Sequence, residues 1–270
     1  MIKNTPDDNH AQIHRARSAQ AIRYLTRRAR LTIREASLNA ICNLQVTRSM
    51  TLELPRPILT VDVVLLTLRE GQIHVVLQER DKAPFAGRPA LVGGYVRPEE
   101  DATTTAAAAR VLRDKVGVTA RLLEQLMTFS GQDRDPRGWS ASVAYFGLLP
   151  VETLPAEQRD EIVVLPIDRV EGLPFDHDFI LATARNRLRR RSAYSTLAAF
   201  MLSERFTLAE LRNAYEIALG RSLNNSAFRR KVDELRMVDA VEGAASKATA
   251  RPARLYRLRI AGVAEFDRTL

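Results

Sequence analysis

The chain has 270 residues, 46% hydrophobic and 27% charged, a length that predicts about two domains, each with its own core. No apolar run reaches the roughly 18 residues a membrane helix needs, and the single cysteine, Cys42, excludes an internal disulfide or a cysteine-based zinc cluster. The net charge of +9 is unevenly spread: nine basic residues against three acidic in 1–50, and 14 against 20 in 51–184. Five arginines follow (Arg185, Arg187, Arg189, Arg190 and Arg191), then 13 basic against nine acidic residues in 192–270. An acidic centre between basic flanks predicts that the flanks meet a polyanion, most naturally nucleic acid. Solvated surface charge is the plainer alternative.

In chain order, residues 1–54 form a basic extension with weak helical periodicity and no secretory apolar segment. Its composition fits a disordered tail, a transit-like segment, or a reading frame begun too early with Met50 as the true start. From Ile58 to Leu68 the β-branched run ILTVDVVLLTL predicts a strand, and Glu70-Gly71 a turn. Ile73–Leu77 then closes a hairpin. A Pro- and Gly-rich loop, 81–89, leads to Ala90–Val96 with Gly93-Gly94 inside it. Residues 102–115 are alanine-rich and predict a helix stopped by Gly117. Strands are expected near 120–129, 141–149 and 161–167, followed by a basic helix from Ile180 to Arg191.

Beyond Arg191 the pattern changes to three helices, at 193–202, 207–219 and 224–235, and two strand-like pieces at 238–241 and 254–259. Thr207 is the expected N-cap of the second helix and Gly220 its stop. This is the outline of a winged helix-turn-helix. In the third helix Phe228, Val232 and Leu235 predict one buried face. The candidate DNA-reading residues are Asn224, Asn225, Ser226, Arg229, Arg230 and Lys231, because Asn and Arg match the major-groove edges of adenine and guanine. Lys247, Arg251 and Arg254 supply a candidate basic wing against backbone phosphate.

The segment Gly93–Val118 resembles a Nudix box, the strand-loop-helix of the Nudix hydrolases. With Gly117-Val118 as anchor, the motif's Arg falls on Arg110, its aliphatic position on Leu112 and its first Gly on Gly94 after a two-residue insertion. Its three metal-binding carboxylate positions fall on Val111, Asp114 and Lys115, while Glu99, Glu100 and Asp101 stand nearby out of register. Nudix hydrolysis needs carboxylates on one helix face to hold divalent cations. An apolar residue and a lysine there predict that the chain is not an enzyme, and the lysine can pair with phosphate directly. The segments Asp133–Trp139 and Phe175–Asp178, together with FTLAELRNAYEIALGRSLNNSAFRRKV and ARLYRL, are similar to the Nudix-related transcriptional regulators of NrtR type, over about residues 55–260.

That resemblance implies an α+β chain: a Nudix-like α/β/α sandwich over 55–184, then a linker helix and winged helix over 185–270. It implies a cytoplasmic repressor of NAD biosynthesis or salvage genes, working as a homodimer on a palindromic operator in double-stranded DNA. No cofactor and no metal is expected. The effector is expected to be ADP-ribose, NAD or ATP, held near Arg80, Gly94, Arg110, Lys115, Arg134 and Arg137. For Arg134 and Arg137 a local turn network with Asp133 and Asp135 is an equal alternative. Trp139 is expected in the core and His177 as a hydrogen-bonded structural histidine. Two other readings stay open: a hydrolase using Glu99, Glu100 and Asp114, and a nucleic-acid scaffold with no ligand.

Overall fold

In the computed structural model the described residues are 56–156, 159–246, 253–267 and 269. The readings of residues 1–54, and of Lys247 and Arg251, lie outside them.

The β-branched run folds as one long strand, β1 (Ile58–Arg69), and its length lets it serve three partners. It runs parallel to β5 (Ser140–Leu148) from Ile58 to Leu66. On its other edge Thr60–Val63 pairs with β3 (Pro89–Tyr95), and Leu65–Arg69 pairs with β2 (Gln72–Glu79). With β4 (Leu122–Gly131) and β6 (Ile162–Pro166) outermost, the sheet order is β4-β5-β1-β3-β2-β6.

The period-two alternation of β1 sorts its side chains between two cores. Val61, Val63 and Leu65 face α1 (Thr104–Val111), joining Ala107, Ala108 and Val111. Val64 and Leu66 face the other way, toward Ile180, Ala184 and Leu188 of α2 (His177–Ser192). The expected α/β/α sandwich is therefore present. Helix α1 starts later than the alanine run suggests, because Thr103 caps it by accepting from the Ala106 N–H at 3.1 Å. Its continuation, Leu112–Val116, widens into a π-helical turn that Gly117 ends with left-handed backbone, φ 79°.

The α2-side core does not stop at the sheet. Leu66, Phe146 and Ile180 share one cluster with Phe206, Leu211, Tyr215 and Phe228. The boundary expected between 184 and 185 thus falls inside α2, which packs on the sheet and on the C-terminal helices. Those helices are α3 (Leu208–Leu219) and α4 (Asn225–Glu234), followed by the wing strands β7 (Val238–Ser246) and β8 (Ala253–Leu258).

The helix expected at 193–202 is instead a single 3-10 turn, Leu197–Met201, with all five residues buried. Tertiary contacts override helix propensity there. The Ser195 carbonyl accepts from the Tyr215 hydroxyl at 2.7 Å, and Thr196 exchanges hydrogen bonds with Ala264 at 2.9 Å. Trp139 is a second correction: its side chain is half exposed rather than in the core. It ends the loop before β5, where its carbonyl accepts from the Ile58 N–H at 3.1 Å.

Candidate functional site

A cleft of about 500 Å³ opens at the α1 end of the sheet, and it collects all six residues named for the effector: Arg80, Gly94, Arg110, Lys115, Arg134 and Arg137. Strands β1 and β3 form its floor, the π-helical turn one wall, and the loops before β5 and α2 the other. Gly93, rather than Gly94, is the position where backbone must come closest. A Cβ on Gly93 would meet Asp62 Oδ1 at 2.1 Å and the Val61 carbonyl at 2.8 Å, whereas one on Gly94 meets only Val111 Cγ2 at 3.2 Å.

The basic groups of the cleft divide by what they already hold. The Arg110 guanidinium donates from Nε and Nη2 to the two oxygens of Asp101, each at 2.8 Å, and from Nη2 to the Tyr95 carbonyl at 3.0 Å. The Arg110 hydrogen bond holds the Asp101 carboxyl down at about 2. Arg134 is half-buried and donates to Asp176 at 2.8 and 3.0 Å and to Ser140 Oγ at 3.1 Å. Arg137 grips Asp135 at 2.6 and 2.9 Å. Burial opposes the charge on Asp135, but the Arg137 hydrogen bonds outweigh it and its carboxyl lies below the usual range. The turn-network alternative thus holds for Arg137 with Asp135, while Arg134 reaches across to Asp176 at the head of α2.

Among the described residues Arg80 and Lys115 have no such partner. Arg80 donates from Nε to the Pro84 carbonyl at 2.8 Å and from Nη2 to the Lys82 carbonyl at 3.3 Å. Its guanidinium lies 4.8 Å from the Phe175 ring centroid. The Lys115 ammonium donates to Gln78 Oε1 at 2.9 Å and to the Gly93 carbonyl at 2.5 Å. Burial lowers the pKa of both, and for Arg80 the nearby Arg137 charge adds to it.

Below these lies a buried polar cluster around Asp62, a lone acid in the apolar β1 run. It accepts from Ser142 Oγ at 2.5 Å and lies 3.6 Å from His177 Nε2 and 3.8 Å from Arg134 Nη2. The Leu91 N–H donates to His177 Nδ1 at 3.1 Å, which puts the ring proton of the neutral tautomer on Nε2, toward Asp62. Burial pushes His177 below its ordinary pKa. The rim is aromatic. Phe85 and Phe175 both hold left-handed backbone (φ 66° and 58°) and pack edge to face at 5.0 Å, a costly conformation for such bulky residues.

The C-terminal unit presents its charges differently. Thr207 and Glu210 form a reciprocal capping box on α3, and Gly220 ends it at φ 66°. Asn224 caps α4, its side-chain carbonyl accepting from the Ala227 N–H at 3.0 Å, so that oxygen is committed. Phe228 and Val232 are buried behind α4, and Leu235 is half-buried. Asn225, Ser226, Arg229 and Arg230 are exposed in front, with Lys231 half-buried at the side. Arg230 makes a loose 3.7 Å contact with Glu234, both side chains being exposed. On the wing Arg254 is exposed, 6.0 Å from the Tyr256 ring.

Three arginines join the two halves. Arg121 donates to the carbonyls of Leu202 and, at 3.0 Å, Ser203. Arg187 donates to the Leu126 carbonyl at 2.9 Å, and Arg191 bridges Glu124 and Glu265. Sequence reasoning did not find these joints, nor Asp101 and Asp176 as partners. Only the lone Asp62 carried a readable signal, since a charge inside an apolar strand needs a partner.

A model of the Nudix domain matches residues 56–184, and a model of the NrtR DNA-binding winged helix domain matches 198–258. Over 210 residues the chain is 36% identical to a protein of Acinetobacter baylyi described as an ADPR responsive transcriptional repressor, NtrR, spanning 76% of this chain and 84% of that one. The chain belongs to the NrtR family. The crystal structure of Shewanella oneidensis NrtR superposes with a TM-score of 0.74 at 34% identity, covering 79% of this chain and 100% of that one. The same NrtR complexed with a 27mer DNA gives 0.72 at 33% identity, covering 78% and 99%. On the Nudix side the chain is also 28% identical, over 126 residues, to an ADP-ribose pyrophosphatase of Methanocaldococcus jannaschii, or 46% of this chain and 71% of that one. As in NrtR proteins, a Nudix domain and a DNA-binding winged helix share one chain.

Proposed function

We propose that the chain is an ADP-ribose-responsive transcriptional repressor, in which the cleft senses the nucleotide and the front of α4 reads the operator. The observation that carries this reading is the coexistence of both domain matches with 36% identity across most of a repressor described as ADPR responsive. The cleft geometry supports it, since 500 Å³ lined by basic and aromatic groups suits a nucleotide. The family implies NAD biosynthesis or salvage as the regulated genes, and the cytoplasm as the setting. Among the described residues no helix is long and apolar enough to cross a membrane.

In this reading the Nudix domain binds without hydrolysing, because Val111 and Lys115 stand where the motif has carboxylates. Two copies read a palindrome with half-sites about one helical turn apart. DNA contact is through Asn225, Ser226, Arg229, Arg230 and Lys231, with Arg254 on the wing meeting phosphate. Helix α2 links the two sites. Its head is tied to the cleft by Arg134–Asp176, and near its tail Arg191 reaches Glu265 close to the chain end. A nucleotide that moves Arg134 biases the winged helices through this rod.

The test is a mobility-shift assay on the protein's own upstream DNA and that of neighbouring NAD genes, at stated salt, with and without ADP-ribose, NAD and ATP. The expected result is a specific shift altered by ADP-ribose. A shift altered only by NAD or ATP replaces the effector. No specific shift, together with magnesium-dependent release of AMP from ADP-ribose, replaces the repressor reading with a hydrolase.

A further inference from the structure

The Nudix fold implies a divalent cation, and the donor set in this cleft does not fit one. Among the described residues no three His, Cys, Asp or Glu side chains come together as metal ligands. Of the three motif positions, Val111 is buried and apolar. Asp114 is the one carboxylate, lying 3.9 Å from Arg110 and 3.5 Å from Arg113. The third position is Lys115, whose ammonium sits on the Gly93 carbonyl at 2.5 Å. A fixed positive charge there repels a second cation, and its ammonium occupies the Gly93 carbonyl.

The remaining charges of the cleft tell what belongs there instead. Arg97, Arg110, Arg134 and Arg137 are paired with Glu100, Asp101, Asp176 and Asp135, and Lys82 lies 3.8 Å from Asp81. Arg80 and Lys115 are the two lining cations with no carboxylate within 4.0 Å among the described residues. Each keeps donors in reserve: among the described residues Arg80 Nη1 makes no hydrogen bond, and Lys115 has used two of its three N–H groups. Partly buried cations held by carbonyls alone are incompletely compensated, and two of them match the charge of one diphosphate.

We propose that the cleft binds its nucleotide diphosphate without a metal ion, with Lys115 and Arg80 as the built-in counter-charges. This deepens the effector reading and rests on it for the identity of the nucleotide. Recognition of the diphosphate replaces activation of it: the ammonium neutralises the bridging region but holds no water for attack.

Isothermal titration calorimetry of the full chain with ADP-ribose, ADP and AMP, each in EDTA and in magnesium, tests this on the unmodified protein. ADP-ribose and ADP are expected to bind equally well in both buffers, and AMP more weakly. Lys115→Met and Arg80→Met each weaken the diphosphates roughly ten- to a hundredfold, with thermal melting as the folding control, and Lys115→Arg restores most of the affinity. Lys115→Glu makes the remaining binding magnesium-dependent. Diphosphate binding that appears only with magnesium overturns the proposal. If ADP binds in EDTA while ADP-ribose binds in neither buffer, the effector reading falls and the metal-free site stands. If neither diphosphate binds in either buffer, both fall.

Discussion

The cleft and the front of α4 are both rich in arginine, yet their arginines are in opposite states. In the cleft, Arg110, Arg134 and Arg137 are locked to Asp101, Asp176 and Asp135 at 3.0 Å or less and serve as struts of the site. On α4, Arg229 and Arg230 are exposed, with nothing tighter among the described residues than the 3.7 Å contact of Arg230 to Glu234. The basic stretch of α2 shows both states in one helix. Arg185, Arg187 and Arg191 are engaged with Asp168, Leu126 and Glu124, whereas Arg189 and Arg190 are exposed. Charge by itself therefore does not mark a contact residue. A cation recruits an anionic ligand when the fold has left its charge uncompensated, and it stabilises the fold when the fold has not.

Substitutions can break this distinction. The largest effect is expected behind α4. Phe228→Ala opens a cavity in the cluster shared with Tyr215 and the sheet, costing about 3–5 kcal/mol, and thermal melting should show the loss for the whole unit. In front of the same helix, Arg229→Ala and Arg230→Ala should each cost about 1–3 kcal/mol of operator affinity, with melting and ADP-ribose affinity unchanged. If either leaves mobility shifts as they were, the reading face of α4 is misassigned.

Two smaller effects sharpen the cleft side. Lys115 must be charged to hold a phosphate, and burial lowers its pKa. ADP-ribose affinity should therefore fall as pH rises, before an ordinary lysine would titrate, and Lys115→Arg should abolish that fall. The paired Asp101 works in the opposite direction. Its folded pKa of about 2 lies below the ordinary 3.8, so its contribution to stability is complete above the ordinary value and is lost as pH falls toward 2. Asp101→Asn should lower stability at neutral pH and flatten the acid limb of a stability-versus-pH curve measured by denaturant unfolding. An unchanged acid limb would sink the assignment of Asp101 as the partner of Arg110.

Much of the fold was legible before any coordinates, because its signals are local. The alternating apolar run makes β1, Glu70-Gly71 turns the chain, and Thr207 starts α3. Gly117 and Gly220 end their helices at positive φ. The front and back of α4 follow from a 3.6-residue period and were readable for the same reason. Misreadings arose where distant contacts overrule local preference. Ala193–Leu202 is helical by composition but is pinned by Tyr215 and Ala264, and Trp139 stays at the surface despite its apolar ring.

The site divides along the same line. Residue types and their order along the chain were enough to gather Arg80, Gly94, Arg110, Lys115, Arg134 and Arg137 as candidates, and to raise the expectation that Val111 and Lys115 stand at carboxylate positions of the motif. Which of those cations are spent was decided only by the tertiary structure, because Arg134 meets Asp176 across 42 residues and Lys115 meets Gln78 across 37. Sequence determines the charges a chain carries; pairing depends on distance through space, which only the packed sheet and helices fix.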